Sequence, residues 1–213
     1  MKIGVLGSGD VAKTLATGFL KHGHSVVIGT RDTGKLSEWH KANSGARVDS
    51  FAQAAANSEL IVLAVKGSAA KTALALIPDQ ALEGKVIIDA SNPIADKPPV
   101  NGVLSFFTDM NYSLMEQLQA EFSGARFVKA FNSVGAAHMV NPQFSGGKPT
   151  MFIAGNDDAA KATVSFILEQ FGWLVADMGK AEAARAIEPL CMLWCIPGFL
   201  RNDWSHAFKL LEV

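Results

Sequence analysis

The sequence predicts an α/β fold with a doubly wound, mainly parallel sheet. Three observations carry that expectation. Short apolar runs alternate with segments of helical period along almost the whole chain of 213 residues, as strands joined by crossover helices do. The first alternation is compact, with an apolar strand, a glycine turn, an amphipathic helix and a second strand following one another between Lys2 and Gly29. No linker, low-complexity tract or internal repeat interrupts the rest, so residues 1–213 are expected to form a single domain.

Taken in order, Lys2 to Leu6 reads as a strand buried on both faces, because its apolar run shows no alternation. Gly7-Ser8-Gly9-Asp10-Val11-Ala12 turns the chain into a helix whose apolar positions include Leu15, Phe19 and Leu20 and which stops near Gly23. Ser25 to Gly29 is the second strand, ending in Thr30-Arg31-Asp32. Beyond it lie a helical stretch from Leu36 to Ala42, a short strand from Arg47 to Asp49 and a helix from Phe51 to Ala56. A buried strand from Leu60 to Val65, a helix from Ser68 to Leu76 and a strand from Lys85 to Asp89 come next. Ile94 to Tyr112 lacks periodicity and holds Pro98-Pro99 and Asn101-Gly102, so it reads as a long loop of the kind that often carries function. A helix from Ser113 to Phe122 then precedes a strand from Arg126 to Ala130. Thr150 to Ala154 and Trp173 to Ala176 are two extra C-terminal strands around a helix from Ala159 to Phe171, and Ala181 to Trp194 is a closing helix.

Composition narrows the function classes. With 49% hydrophobic and 18% charged residues the chain is rich enough to bury strands on both faces or to leave an apolar subunit contact. Its 19 basic and 20 acidic side chains give a net charge of -1 without a basic run, which argues against nucleic acid as a partner. Met1 leads straight into a strand rather than a secretory signal, so the cytoplasm is the expected location. The apolar run Leu190 to Leu200 has eleven residues and contains Pro197 and Gly198, too short and broken to span a bilayer, so no membrane segment is expected. Cys191 and Cys195 in that run share a helical face at a spacing that seldom allows a disulfide, and they are expected to be buried thiols. The five histidines are scattered without zinc-ligand spacing, and no metal site is expected.

The glycine turn carries the first functional expectation. A dinucleotide's pyrophosphate lies against backbone N–H groups at a helix start, where the helix dipole favours anions. Gly7 permits the tight turn, Gly9 lets the backbone approach the phosphates, and Ala12 lets the helix pack closely on the sheet, which is the Rossmann-type arrangement. At the second strand's end, Thr30 and Arg31, with Lys35 following, suit a 2′-phosphate and therefore NADP(H). Asp32 keeps NAD open, since an acidic residue near this position can hold a ribose, and Arg31 has the alternative of being a solvated strand-end charge.

Ile3 to Ala12, Gly29-Thr30-Arg31, Asp89-Ala90-Ser91-Asn92-Pro93, Val128-Lys129-Ala130-Phe131-Asn132 and Asp177-Met178-Gly179 together resemble the NADPH-dependent deazaflavin-coenzyme reductases. They are similar as well to the cytosolic NADPH-oxidoreductase domain of the six-transmembrane ferric reductases, and the resemblance runs in order across almost the whole chain. It implies hydride transfer between NADPH and a flavin or deazaflavin-like acceptor. It also implies phosphate binding by Gly7, Ser8, Gly9, Asp10 and Val11, 2′-phosphate recognition by Thr30, Arg31 and Lys35, and Ala64 and Val65 lying along the cofactor. Asn92, Pro93, Ala130 and Asn132 would surround the nicotinamide. Archaeal deazaflavin reductases tend to carry histidine where this chain has Asn132, whereas the ferric-reductase domains share its Phe-Asn pair, so the resemblance leaves the acceptor open.

Transfer between two stacked rings needs alignment and exclusion of water more than acid–base groups. Asn92 and Asn132 are the candidate catalytic residues, and satisfying strand-end backbone is the alternative role for each. Trp194, Phe199 and Trp204 have three readings, as acceptor pocket, dimer contact or core, and residues 181–213 are expected to serve the acceptor pocket or a homodimer contact. Two rivals share the fingerprint: a small hydroxyacid-type dehydrogenase, and a non-catalytic NADPH-binding sensor.

Overall fold

The strands are short and apolar on both faces, so each needs cover above and below, and helices supply it. The computed structural model describes residues 1–211; the last two residues of the 181–213 segment lie outside the described residues. The chain begins with β1 (Lys2–Leu6), α1 (Asp10–Lys21) and β2 (Ser25–Gly29). It continues through α2 (Ser37–Ala42), β3 (Arg47–Asp49), α3 (Phe51–Ala56), β4 (Leu60–Leu63), α4 (Gly67–Leu74) and α5 (Asp79–Leu82). The second half comprises β5 (Val86–Asp89), α6 (Leu114–Glu121), β6 (Arg126–Lys129), β7 (Thr150–Gly155), α7 (Asp158–Gln170), β8 (Leu174–Asp177), α8 (Ala184–Ile187) and α9 (Pro189–Arg201).

These strands make one eight-stranded sheet in the order β3-β2-β1-β4-β5-β6-β7-β8. All neighbours pair in parallel except β6 with β7, which are antiparallel through Val128 opposite Gly155 and Lys129 opposite Ala154. Period-2 alternation divides the buried side chains between two cores. Ile3, Val5, Leu60 and Val62 join Leu15, Phe19 and Phe171 on one face, while Leu6, Ile61, Leu63 and Phe127 join Phe51 and Leu118 on the other. The strand order turns back at β1 and β4, and a crevice therefore opens at the carboxyl ends of these two strands.

Several boundaries differ from the sequence expectation for physical reasons. β4 stops at Leu63 rather than Val65, because its partner β1 ends at Leu6 and Gly7 turns away; the last bond runs from Ala64 N–H to the Leu6 carbonyl. The long loop is pinned by isolated bridges Ile94–Phe106, Val100–Val103 and Asp109–Tyr112. The closing helix does not end at Trp194. After a 3-10 turn at Ala181–Ala183 and α8, α9 runs on through Pro197 to a left-handed Asn202 at φ 56°. Pro197 removes the donor for the Leu193 carbonyl, and Leu193 is exposed, where water can take that donor's place.

The helical stretch Ala181–Arg201 therefore reaches 21 residues, longer than the run Leu190 to Leu200, and an 18-residue window of it has a mean hydropathy of 1.3, long and apolar enough to cross a membrane by length and composition alone. Here it packs on the domain through Ala184, Ile187, Cys191, Trp194 and Gly198. Cys191 is buried as expected; Cys195 is only half-buried.

Candidate functional site

The crevice begins at the turn after β1. Gly7 has φ 139°, a conformation that L side chains rarely adopt, and a Cβ there would lie 2.3 Å from the Ala64 carbonyl oxygen. Gly9 is different: a Cβ would meet nothing within 4 Å, so the space above it is open. No side chain caps the N-terminus of α1, and its first N–H groups are left to an anion.

At the end of β2 the side chains divide into two groups. Thr30 is buried, and its hydroxyl accepts from Asp32 N–H at 3.2 Å and donates to the Asp32 carbonyl at 3.1 Å. Asp32 Oδ1 accepts from Gly34 N–H at 3.0 Å and caps the short 3-10 turn Thr33–Leu36. Thr30 and Asp32 are thus occupied in shaping the loop. Arg31 and Lys35 are exposed, and neither forms an ion pair among the described residues. They face a cavity of about 260 Å³ lined also by Gly7, Ser8, Gly9, Phe51, Ala69, Thr72 and Leu76.

A second cavity, of about 480 Å³, is lined by Asp10, Val11, Gly67, Ser68, Ala90, Asn92, Ile94 and Asp96. Gly9, Ala64, Val65 and Lys66 line both, so the two are ends of one cleft across the sheet's carboxyl edge. Gly67 keeps α4 tight against the far wall, where a Cβ would overlap the Asn92 carbonyl. An anion cradle at one end, two free cationic side chains beside it and an elongated cleft beyond fit NADP(H).

Asn92 lines the second cavity, and Asn132, which lines neither, is bonded to it. Asn92 Nδ2 donates to the Asn132 carbonyl at 2.8 Å, and Asn132 Nδ2 donates to Asn92 Oδ1 at 3.1 Å and to the Ile187 carbonyl at 3.0 Å. Asn132 Oδ1 is buried and accepts from no group among the described residues. Its backbone is delivered by Phe131, a buried aromatic residue at φ 63°, which is rare outside glycine and marks a strained turn at a site. Asn132 thus ties the β6 end to both Asn92 and the C-terminal helix. Pro93 and Ala130 are buried and line neither cavity.

Beneath this pair sits a cluster that pattern reading missed. Lys129 Nζ lies 2.7 Å from Asp89 Oδ2 and 2.9 Å from Glu188 Oε1, and it donates to the Ser91 carbonyl at 2.9 Å. Asp89 Oδ1 accepts from Ser91 N–H and Oγ, while Glu188 accepts from the N–H groups of Leu114 and Met115 at the start of α6. Burial pulls the Lys129 ammonium down, but Asp89 and Glu188 outweigh it and leave its pKa above the ordinary lysine value. A lysine in an otherwise apolar strand was the available signal, since buried lysines are almost always paired. Lys66, Ser68 and Thr72 were missed as well, because only the seating of α4 beside α6, with Gly67 against the Asn92 carbonyl, brings them to the cleft.

Trp194 is a core residue, its Nε1 donating to the His206 carbonyl at 2.8 Å and its ring packed against Gly135. Phe199 and Trp204 are partly exposed and meet edge to face at 5.3 Å between ring centroids. None of the three lines the cleft.

Comparison with known proteins agrees with the geometry. Residues 2–93 match the family model described as NADP oxidoreductase coenzyme F420-dependent. The chain is 33% identical over 204 residues to the rat metalloreductase STEAP3, spanning 93% of this chain but 39% of that protein's length. It is 29% identical over 227 residues to the F420-dependent NADP reductase of Methanothermobacter thermautotrophicus, covering 97% of that protein. The crystal structure of a candidate F420-dependent NADP reductase from Arthrobacter sp. FB24 superposes with a TM-score of 0.94 at 33% identity, each chain covered completely. With the fold and end-to-end similarity in agreement, the chain belongs to the coenzyme F420-dependent NADP oxidoreductase family.

Proposed function

We propose that the protein transfers a hydride between NADP(H) held along the cleft and a flavin- or deazaflavin-like ring stacked on the open face beside Asn92. The observation that carries this reading is the single cleft, which joins an anion cradle at Gly7–Gly9 to a rigid amide at Asn92. The names of the relatives support the acceptor class. The cofactor, when bound, supplies the hydride. Backbone N–H groups at the α1 start hold its pyrophosphate, and Arg31 and Lys35 take the 2′-phosphate. Asp32, already capping its own loop, has one carboxylate oxygen committed and is a poor ribose acceptor, which favours NADP over NAD. Asn92 orients the nicotinamide edge, and Asn132 positions Asn92. The cleft walls exclude water from the ring face.

The homodimer proposed here is supported by exposed apolar surface. Leu193, Phe199 and Leu200 on α9 are exposed, and the loop residues Val100 and Val103 lie close by, because Gly102 packs against Leu200. A contiguous patch of this kind marks an interface, and a second copy in the cytoplasm is the proposed occupant. Light scattering at micromolar concentration is expected to return twice the chain mass, and a monomer mass overturns the dimer.

The reaction class is tested by single-turnover oxidation of bound NADPH, followed in the near ultraviolet, with riboflavin, a 5-deazaflavin and simple ketones. Efficient oxidation by the ring acceptors is expected. Efficient ketone reduction with inert flavins and deazaflavin would place the protein with the dehydrogenases instead.

A further inference from the structure

The triad under the nicotinamide end has an uneven charge count. Asp89 and Lys129 are 0% exposed and Glu188 is 2% exposed, so solvent screens none of them. Every partner of the two carboxylates is a donor: Ser91 N–H and Oγ, Leu114 N–H, Met115 N–H and the Lys129 ammonium. Each carboxylate meets the Lys129 ammonium and at least one backbone N–H, from Ser91 for Asp89 and from Leu114 and Met115 for Glu188, and such contacts favour a carboxylate over its neutral acid. Two carboxylates against one ammonium leave one negative charge in the interior. Asp89 and Lys129 end β5 and β6, and the segments leaving those strands carry Asn92 and Asn132. The remaining charges near that end of the cleft, Asp10, Lys66 and Asp96, are exposed at its rim, where water screens them.

We propose that the Asp89–Lys129–Glu188 triad is a fixed negative charge beneath the nicotinamide that favours NADP+ over NADPH and makes the bound cofactor a stronger hydride donor. The proposal rests on the reading that places the nicotinamide beside Asn92. Donation moves two electrons and one proton from nicotinamide C4 to the acceptor ring and leaves the nicotinamide one unit more positive. A buried negative charge lowers the energy of that product and leaves the neutral reactant almost untouched. The triad is therefore more than a staple between β5, β6 and the C-terminal helix. A staple would support both oxidation states equally. Glu188 also faces the N–H groups at the start of α6, which offset part of its charge, so Asp89 carries the larger share of the effect.

The test compares dissociation constants, without turnover, for NADP+, NADPH and a nicotinamide-free fragment, 2′-phospho-ADP-ribose. Asp89→Asn keeps the shape and neutralises the triad. The ratio of the NADP+ to the NADPH dissociation constant is expected to rise by about tenfold, the scale of one unit charge about 10 Å away at an effective dielectric of about 20. Glu188→Gln is expected to raise it less, and fragment binding is expected to stay within about twofold in both. Ser91→Ala, which removes a hydrogen bond and no charge, leaves the ratio unchanged.

Equal weakening of both dinucleotides at constant ratio, in a variant with the native near-ultraviolet dichroism, overturns the proposal. Failure of the underlying reading has another signature: Asn92→Ala would leave the single-turnover rate of hydride transfer, as well as the binding of both dinucleotides, as in the unmodified protein. Should neither triad variant fold, the unmodified protein decides. A bound couple more reducing than free NADP(H), with NADP+ held tighter than NADPH, is expected, and the reverse order overturns the idea.

Discussion

The two ends of the cleft are built in different ways. The phosphate end uses backbone: a glycine at φ 139°, a second glycine with open space above it, and the uncapped start of α1, all within one turn of chain. The nicotinamide end uses side chains that converge from distant places, with Asn92 bound to Asn132, Asn132 to Ile187, and Lys129 to Asp89 and Glu188. The first kind of site depends on one backbone path and on the glycine that permits it. The second tolerates backbone adjustment but depends on particular functional groups. Damage at the phosphate end should therefore appear as lost affinity, and damage at the nicotinamide end as lost rate.

The sharpest break comes from Gly7→Ala. The new methyl meets the Ala64 carbonyl and the backbone must leave φ 139°, so NADP+ and NADPH binding are both expected to weaken by about 3 kcal/mol or more. Titration calorimetry checks it, and near-native affinity would show that the turn is not the anion cradle. Arg31→Ala is expected to cost about 1.5–3 kcal/mol for NADPH, the scale of a charge-assisted hydrogen bond, with little effect on NADH. Equal losses for the two cofactors would make Arg31 a general surface charge.

The smallest expected effect separates affinity from rate. Asn132→Leu removes the donor to Asn92 Oδ1 and to the Ile187 carbonyl, and it should lower the hydride-transfer rate by about tenfold, near 1.4 kcal/mol, while NADPH affinity changes by less than about threefold. Stopped-flow rates beside equilibrium titrations test that split. A variant that loses affinity and keeps its rate would erase the distinction between the two ends.

The same division explains what the sequence could reveal. Local chain chemistry made the glycine turn and its end of the cleft legible, since Gly7, Gly9 and Ala12 follow a buried strand and open a helix, and Arg31 and Lys35 follow the next strand. Strand positions were legible for a similar reason: short apolar runs such as Leu60 to Leu63 need cover on both faces. The partners of Lys129 were not legible, because Glu188 reaches it only after the C-terminal helix folds back over β6. Asp32 offers a finer case. Its residue type alone left NAD open, and only the bond to Gly34 N–H reveals that it serves its own loop. The course of α9 past Pro197 was hidden too, since it depends on Leu193 facing solvent.

Direct hydride transfer within the cleft is tested most directly by tracing the transferred atom. NADPH deuterated at nicotinamide C4, in the pro-R or the pro-S position, is mixed with the protein and a 5-deazaflavin for a single turnover. The receiving atom of this acceptor is carbon, which keeps a transferred deuteron from exchanging with water. One deuterium in the reduced deazaflavin from one of the two labelled cofactors, and none from the other, is the expected result for transfer from a single face of a fixed nicotinamide. Reduced deazaflavin free of label from both would contradict it.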